Sequence, residues 1–106
     1  MTMHTLPLAI AADHPAYAGH FPGQPILPGV VLLDEALFAL AAVQGVAAAT
    51  GQIKSAKFLS PVQSGESLRL DYSSTAAGVF RFELKAAERV VASGVLAFDR
   101  VGEAMP

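Results

Sequence analysis

An imidazole, His20, and a carboxylate, Asp34, lie fourteen residues apart in a stretch that runs from His20 to Leu37 and reads HFPGQPILPGVVLLDEAL. His20 opens a segment too rich in proline and glycine to be regular structure, and Asp34 follows within the first turns of a helical pattern. Imidazole is the side chain best suited to proton transfer near neutral pH, and a carboxyl group can supply the complementary proton. The pair therefore predicts acid–base chemistry beside a helix N-terminus.

The elements that must position this stretch are a strand before it and a helix within it. Leu6, Leu8 and Ile10 occupy alternate positions of residues 5–11, which predicts a short strand with these side chains on one face. Pro7 favours a place at the edge of a sheet because it has no N–H to donate. Residues 13–28 form a long loop, which in a compact domain is more often functional than not. Apolar residues surround the predicted helix, from Val30 to about Ala47, so it must be covered on most sides.

The second half of the chain has the period of two that is typical of strands. Strands are predicted over residues 52–59, 67–73, 79–87 and 89–98, with turns at residues 60–66 and at Gly78. The last of these is apolar on both faces, which favours an interior or interface position. Together these elements predict one α+β domain over residues 1–106, with one long central helix wrapped by a mostly antiparallel sheet of about five strands.

Composition limits the kinds of function. The 106 residues are 53% hydrophobic and 15% charged, which leaves apolar surface for an oligomer interface. A net charge of -2 gives no indication of nucleic acid or an anionic membrane as partner. The absence of cysteine excludes disulfides and a thiol nucleophile, and is compatible with the cytoplasm. The three histidines lack the spacing of metal ligands, so we expect no metal and no cofactor.

Two blocks of the sequence resemble a known family. HPAYAGHFPGQPILPGVVLLDEA, from His14 to Ala36, closely resembles the signature of the β-hydroxyacyl-acyl carrier protein dehydratases of the FabA/FabZ group, and FLSPVQSGESL, from Phe58 to Leu68, resembles their second block. The order of strand, loop with histidine, central helix and four strands is that of the hotdog fold. The resemblance implies a lyase that dehydrates a 3-hydroxyacyl thioester on acyl carrier protein to the trans-2-enoyl thioester, in fatty-acid synthesis or a specialised polyene- or polyketide-like pathway.

The resemblance also implies roles for individual residues. His20 matches the catalytic histidine of the family, Asp34 the catalytic acid, and Gly29 the glycine whose backbone N–H polarises the thioester carbonyl. A backbone N–H at a helix N-terminus is well placed to stabilise the charge that develops on that oxygen. In the family the histidine of one subunit faces the acid of the other, which implies a homodimer or a higher oligomer.

The turn after Asp34 departs from the family. Glu35 replaces the usual alanine and is the alternative acid, although it lies about 100° away from Asp34 around the helix. Phe38 replaces the usual glutamine that helps to orient the acid. These changes leave two other functions open: thioester hydrolysis on the same fold, and a non-catalytic acyl-binding subunit in a mixed dimer.

Contacts with substrate and partner follow from residue type. An acyl tail needs an apolar slot, and we expect Phe21, Pro28, Val30 and Phe38 to line it. The carrier protein of the family is acidic, and the candidate residues of this chain for docking it are Lys54, Lys57 and Arg81.

Overall fold

A computed structural model describes residues 3–8, 27–63 and 65–99 of the chain. These residues form one helix, α1 (Gly29–Gln44), a short 3₁₀ turn (Ala48–Thr50) and five strands. The strands are β1 (His4–Leu8), β2 (Gly51–Phe58), β3 (Leu68–Ala76), β4 (Val79–Ala86) and β5 (Arg89–Phe98). The predicted α+β arrangement of one long helix and an antiparallel five-stranded sheet is confirmed.

The strands lie in the order β1-β3-β4-β5-β2, and every neighbouring pair is antiparallel. Strand β1 lies at one edge, as Pro7 predicted, and β5 lies in the interior, as its apolar faces predicted. Strand β2 forms the other edge, next to the last strand of the chain, so the connection through α1 crosses from one edge of the sheet to the other. This order places the strand that follows α1 farthest from the strand that precedes it.

The helix packs on one face of the sheet. Alternate residues of β4 are buried on that face, namely Phe80, Phe82, Leu84 and Ala86, while Arg81 between them is exposed. The helix contributes Leu32, Leu33, Ala36, Leu40 and Ala41 to the same core. Each large apolar side chain buried there stabilises the fold by about 1.5–3 kcal/mol relative to exposure.

The helix ends three residues earlier than its hydropathy predicted. Gly45 has φ +70°, its N–H donates to the Ala42 carbonyl at 3.4 Å, and the Val46 N–H donates to the Ala41 carbonyl at 3.1 Å. This pair of bonds is the Schellman motif, in which a left-handed glycine ends the helix and satisfies its last carbonyls. The apolar residues after Gly45 therefore belong to the connection to β2.

Within the described ranges, no helix is long and apolar enough to cross a membrane.

Candidate active site

The N-terminus of α1 presents two backbone donors. Pro28 caps the helix with φ -60° and ψ 144° and without a side-chain hydrogen bond. Its carbonyl accepts from Val31 at 3.0 Å and from Leu32 at 3.4 Å. The N–H groups of Gly29 and Val30 have no acceptor among the described residues, as is usual in a first helical turn. They can therefore donate to an oxygen that carries negative charge.

A phenyl ring lies over this helix terminus. A Cβ atom added to Gly29 would stand 2.6 Å from Cε1 and 2.7 Å from Cζ of Phe58, a separation that real Cβ atoms do not adopt. The ring therefore packs directly on the glycine, although 53% of Phe58 is exposed. A side chain at position 29 would force this ring to move, and the absence of a Cβ leaves the backbone open to close approach.

A cleft of about 540 Å³ opens at the same place. One wall is the entry to the helix, residues 27–30 with Leu32, and the other wall is the end of β2 and the loop after it, residues 58–62. The structure thus brings together three of the predicted site residues, Pro28, Gly29 and Val30, at one apolar cleft. A volume of this size holds a small ligand or part of an acyl chain.

Asp34 and Phe38 lie outside this cleft, on the exposed side of α1. Val30, Asp34 and Phe38 follow one another at intervals of four residues, so they share a helix face, and all three are exposed. Glu35 is only partly exposed. The cover that the sequence predicts on most sides of the helix is not supplied by the single chain, since 63% of Val30 and 58% of Phe38 face outward.

The edge strand β2 is exposed along nearly its whole length. It pairs with β5 on one side, and no other described strand pairs with its second side. Ile53, Phe58 and the following Leu59 are 40–53% exposed. A free strand edge with apolar side chains is a surface that proteins normally pair or cover.

The opposite face of the sheet carries a charged cluster. Asp71 accepts a hydrogen bond from Thr5 at 2.9 Å and lies 3.1 Å from the Lys85 ammonium and 3.5 Å from Nε of Arg69. Burial raises the pKa of Asp71, but these hydrogen bonds and positive charges outweigh it and hold the pKa below its ordinary value. The same contact with Asp71 raises the pKa of Lys85. The cluster ties β1, β3 and β4 together.

The three basic residues considered for carrier docking share that opposite face. Lys57 is in register with Ser93 and Arg81 with Val95, and these positions alternate with the buried ones that face the helix. Lys54 donates to Gln52 at 2.7 Å. A second cleft of about 450 Å³ lies there, lined in part by Arg81, and it contains none of the predicted catalytic residues.

Two predicted residues, His20 and Phe21, lie outside the described residues. The partnership of His20 with Asp34 therefore stays a prediction. Among the residues that the structure does describe, no group of three His, Asp or Glu side chains is arranged to hold a metal ion.

Sequence reasoning missed the second wall of the cleft. The block FLSPVQSGESL indicated only a turn between two strands, yet Phe58, Leu59 and Pro61 from that block line the cleft beside Gly29. Nothing local in the sequence relates residue 58 to residue 29. The signal that could have found these wall residues is that the second block occurs together with the first block in one family.

Comparison with known proteins agrees with this geometry. The 3-hydroxyacyl-[acyl-carrier-protein] dehydratase FabZ of Chlamydia trachomatis is 31% identical over 102 residues, which cover 84% of this chain and 67% of that protein. The FabZ of Ligilactobacillus salivarius is 39% identical over 69 residues, which cover 58% of this chain and 49% of that protein. The chain thus spans about half the length of several curated relatives that it matches.

A solved structure and a family model extend the comparison. The dehydratase heterocomplex ApeI:P from Xenorhabdus doucetiae superposes with a TM-score of 0.70 and 25% identity, covering 92% of this chain and 88% of that chain. The expected hotdog fold is thereby confirmed. The model of the ApeI-like family, described as ApeI dehydratase, matches residues 1–95. With its fold, its helix-terminal cleft and this match taken together, the chain belongs to the ApeI-like dehydratase family, within the wider FabA/FabZ-like group.

Proposed function

We propose that this protein dehydrates a 3-hydroxyacyl thioester carried on acyl carrier protein, giving the trans-2-enoyl thioester and water. The reaction serves fatty-acid synthesis or a specialised polyene- or polyketide-like pathway. The observation that carries the proposal is the Gly29 N–H, which lies at the start of α1 on an apolar cleft and has no acceptor among the described residues. Membership of a dehydratase family supports the reaction type.

The reaction needs a base and an oxyanion donor. In the proposed mechanism His20 removes a proton from C2 of the substrate, because imidazole accepts protons near neutral pH. Negative charge then develops on the thioester oxygen, and the Gly29 N–H donates a hydrogen bond to it. Removal of one such donor typically raises the barrier by about 3 kcal/mol.

The leaving hydroxyl group at C3 needs a proton. Asp34 supplies it in the proposed mechanism, and the C3–O bond breaks to release water. The acid must be protonated at the start of this step, which a water-excluded apolar setting favours. Asp34 is exposed in the single chain, so that setting has to come from a second chain.

A second copy of this chain is the proposed source of that cover. The free edge of β2 and the exposed face of α1 that carries Val30, Asp34 and Phe38 both need covering. Antiparallel pairing of two β2 strands extends the sheet across a two-fold axis and brings the two helices side by side. In this homodimer the His20 of one copy acts with the Asp34 of the other.

The cleft is the proposed entry for the acyl thioester. Pro28 and Val30 line its helix side, and Phe21 and Phe38 are proposed to contact the acyl group from positions nearer the interface. The carrier protein approaches from outside the dimer, and its thioester reaches Gly29 beside the ring of Phe58.

The test is turnover of a 3-hydroxyacyl carrier protein by the purified chain, followed as loss of water by mass spectrometry. The proposal expects the enoyl product from the wild type and from a His14→Ala control, and its loss in His20→Ala. Full activity in His20→Ala contradicts the mechanism. Release of free carrier thiol in place of enoyl product indicates the alternative, thioester hydrolysis.

A mixed dimer is the second candidate, and one observation favours it. The structure with a TM-score of 0.70 is the dehydratase heterocomplex ApeI:P. In such an assembly a different subunit covers the exposed face of α1. A chain that binds acyl carrier protein and turns over only after a partner subunit is added supports this candidate over the homodimer.

A further inference from the structure

The loop between β2 and β3 forms one wall of the cleft, and backbone hydrogen bonds hold both of its sides. At its start, Leu59 and Ser60 donate to the carbonyl of Val91 at 2.9 and 3.3 Å. Further along, the carbonyl of Val62 accepts from the N–H of Leu27 at 2.9 Å. Leu27 directly precedes Pro28 and Gly29, so the loop is bonded to the residue that leads into α1.

A single ion pair fastens the rest of this loop. Nη2 of Arg89, at the first position of β5, donates to Oε1 and Oε2 of Glu66 at 2.8 and 2.9 Å, and to the carbonyl of Pro61 at 3.2 Å. Glu66 also accepts from the backbone N–H of Gln63 at 2.8 Å. One guanidinium therefore joins both ends of the turn at residues 61–66 to the adjacent hairpin.

The burial of these groups distinguishes a residue that stabilises the fold from residues that mainly restrict the position of the loop. The Val62 side chain is fully buried, whereas 27% of the Glu66 side chain and 46% of the Arg89 side chain are exposed. Exposed ion pairs contribute little to the free energy of unfolding, because water screens them. The contacts of Arg89 Nη2 with both Glu66 and the Pro61 carbonyl do, however, restrict the positions that the loop can take.

We propose that Glu66 and Arg89 are positioning residues for the oxyanion donor. They hold the loop so that Val62 keeps Leu27 in place, and Leu27 in turn fixes the direction of the Gly29 N–H. The path runs from Arg89 through Pro61 and Val62 to Leu27 and ends at the helix terminus. The expected effect on turnover rests on the proposed function. The expected effect on the position of Leu27 and the helix terminus does not.

Catalysis provides the first test. Because a small displacement of a catalytic donor is costly, we expect Arg89→Ala to lower kcat about tenfold or more while KM changes less. Arg89→Lys keeps the charge on a differently placed ammonium that cannot reproduce the position of Nη2, so it recovers only part of kcat. The matched control is Glu88→Gln, which removes an exposed carboxylate that lies 3.8 Å from Arg69. We expect this control to leave kcat unchanged.

Amide hydrogen exchange provides the second test and needs no substrate. We expect faster exchange at the Leu27 N–H in Arg89→Ala and in the milder Glu66→Gln, with no change at the Phe98 N–H, which bonds to Gly78 at the far end of the sheet. Wild-type exchange at Leu27 in both variants overturns the proposal whether or not turnover falls. If the wild-type protein shows no dehydration, the proposed function fails, and exchange at Leu27 alone decides whether the pair positions the helix terminus.

Discussion

The ring of Phe58 rests on the backbone of Gly29, so closely that a Cβ at position 29 would stand 2.6 Å from the ring. Residue 58 ends the edge strand and residue 29 begins the helix, so this contact joins the two elements that border the cleft. The same contact makes position 29 sensitive in two ways, through packing and through access to the backbone N–H.

Replacement of Gly29 by alanine, alone and together with Phe58→Ala, separates the effect on packing from the effect on access to the N–H. The added methyl group displaces the half-exposed ring of Phe58, which has room to turn aside, so the loss of unfolding free energy is at or below the lower end of the about 1–3 kcal/mol that overpacking costs in a closed core. It also obstructs the approach of a thioester oxygen, so we expect kcat/KM to fall about 10- to 100-fold. The double variant Gly29→Ala with Phe58→Ala should regain thermal stability without regaining activity. Recovery of full activity in the double variant would show that glycine is needed only for packing.

The identity of the acid is tested by a pair of neighbouring substitutions. Asp34→Asn should lower kcat by about 100-fold or more, since a general acid typically contributes that much. The side chain of Glu35 points in another direction from the helix, so Glu35→Gln should change kcat by less than about threefold. Steady-state kinetics on the same 3-hydroxyacyl carrier substrate provides the comparison. The opposite ranking of the two variants would make Glu35 the acid.

The buried carboxylate of Asp71 predicts a dependence of stability on pH. Its pKa lies below the ordinary value, so its contribution is fully present above about pH 4 and is lost as the pH falls through the lowered pKa. Asp71→Asn removes the nearer of the two carboxylates beside Lys85, the other being Glu83 at 3.7 Å, and should cost about 1–3 kcal/mol near neutral pH. Thermal melts across the acidic range should show the gap between variant and wild type closing as pH falls. A gap that widens towards low pH contradicts this account, and the exposed Asp99→Asn serves as the control.

The proposed subunit interface is tested with exposed apolar residues at opposite edges of the sheet. Ile53, on β2, is 40% exposed, and Met3, beside β1, is 55% exposed. Ile53→Lys places a charge in the proposed seam and should shift sedimentation from dimer towards monomer, whereas Met3→Lys should leave it unchanged. Dissociation by Met3→Lys alone would place the interface at the β1 edge.

Sequence patterns predicted the local elements well, because each depends on nearby residues. The alternation of Phe80, Phe82 and Leu84 with charged neighbours was enough to assign β4 and its buried face. The end of α1 was placed too late, because apolar periodicity continues past the left-handed Gly45 that ends the helix. Apolar residues spaced at the helical period of 3.6 give no information about the backbone conformation of a glycine between them.

The candidate site was predictable only in part. Pro28, Gly29 and Val30 are neighbours in the chain, and the structure finds all three at one cleft. The contact of Phe58 with Gly29 joins residues far apart in sequence and depends on the position of β2 at the sheet edge, which propensity does not determine. The exposure of Asp34 was not predicted, because the apolar residues around it in the sequence have the same pattern whether they face a core or the outer side of the helix.

The most direct test of a dehydratase site shared between two copies is complementation between two inactive variants. His20→Ala and Asp34→Asn should each be inactive alone, because each lacks one of the two groups at every site. Mixed subunits should form one intact site in each heterodimer, so coexpression of equal amounts should restore about a quarter of wild-type enoyl-thioester formation. A mixture with no more activity than the separate variants would contradict a site built from His20 of one chain and Asp34 of the other.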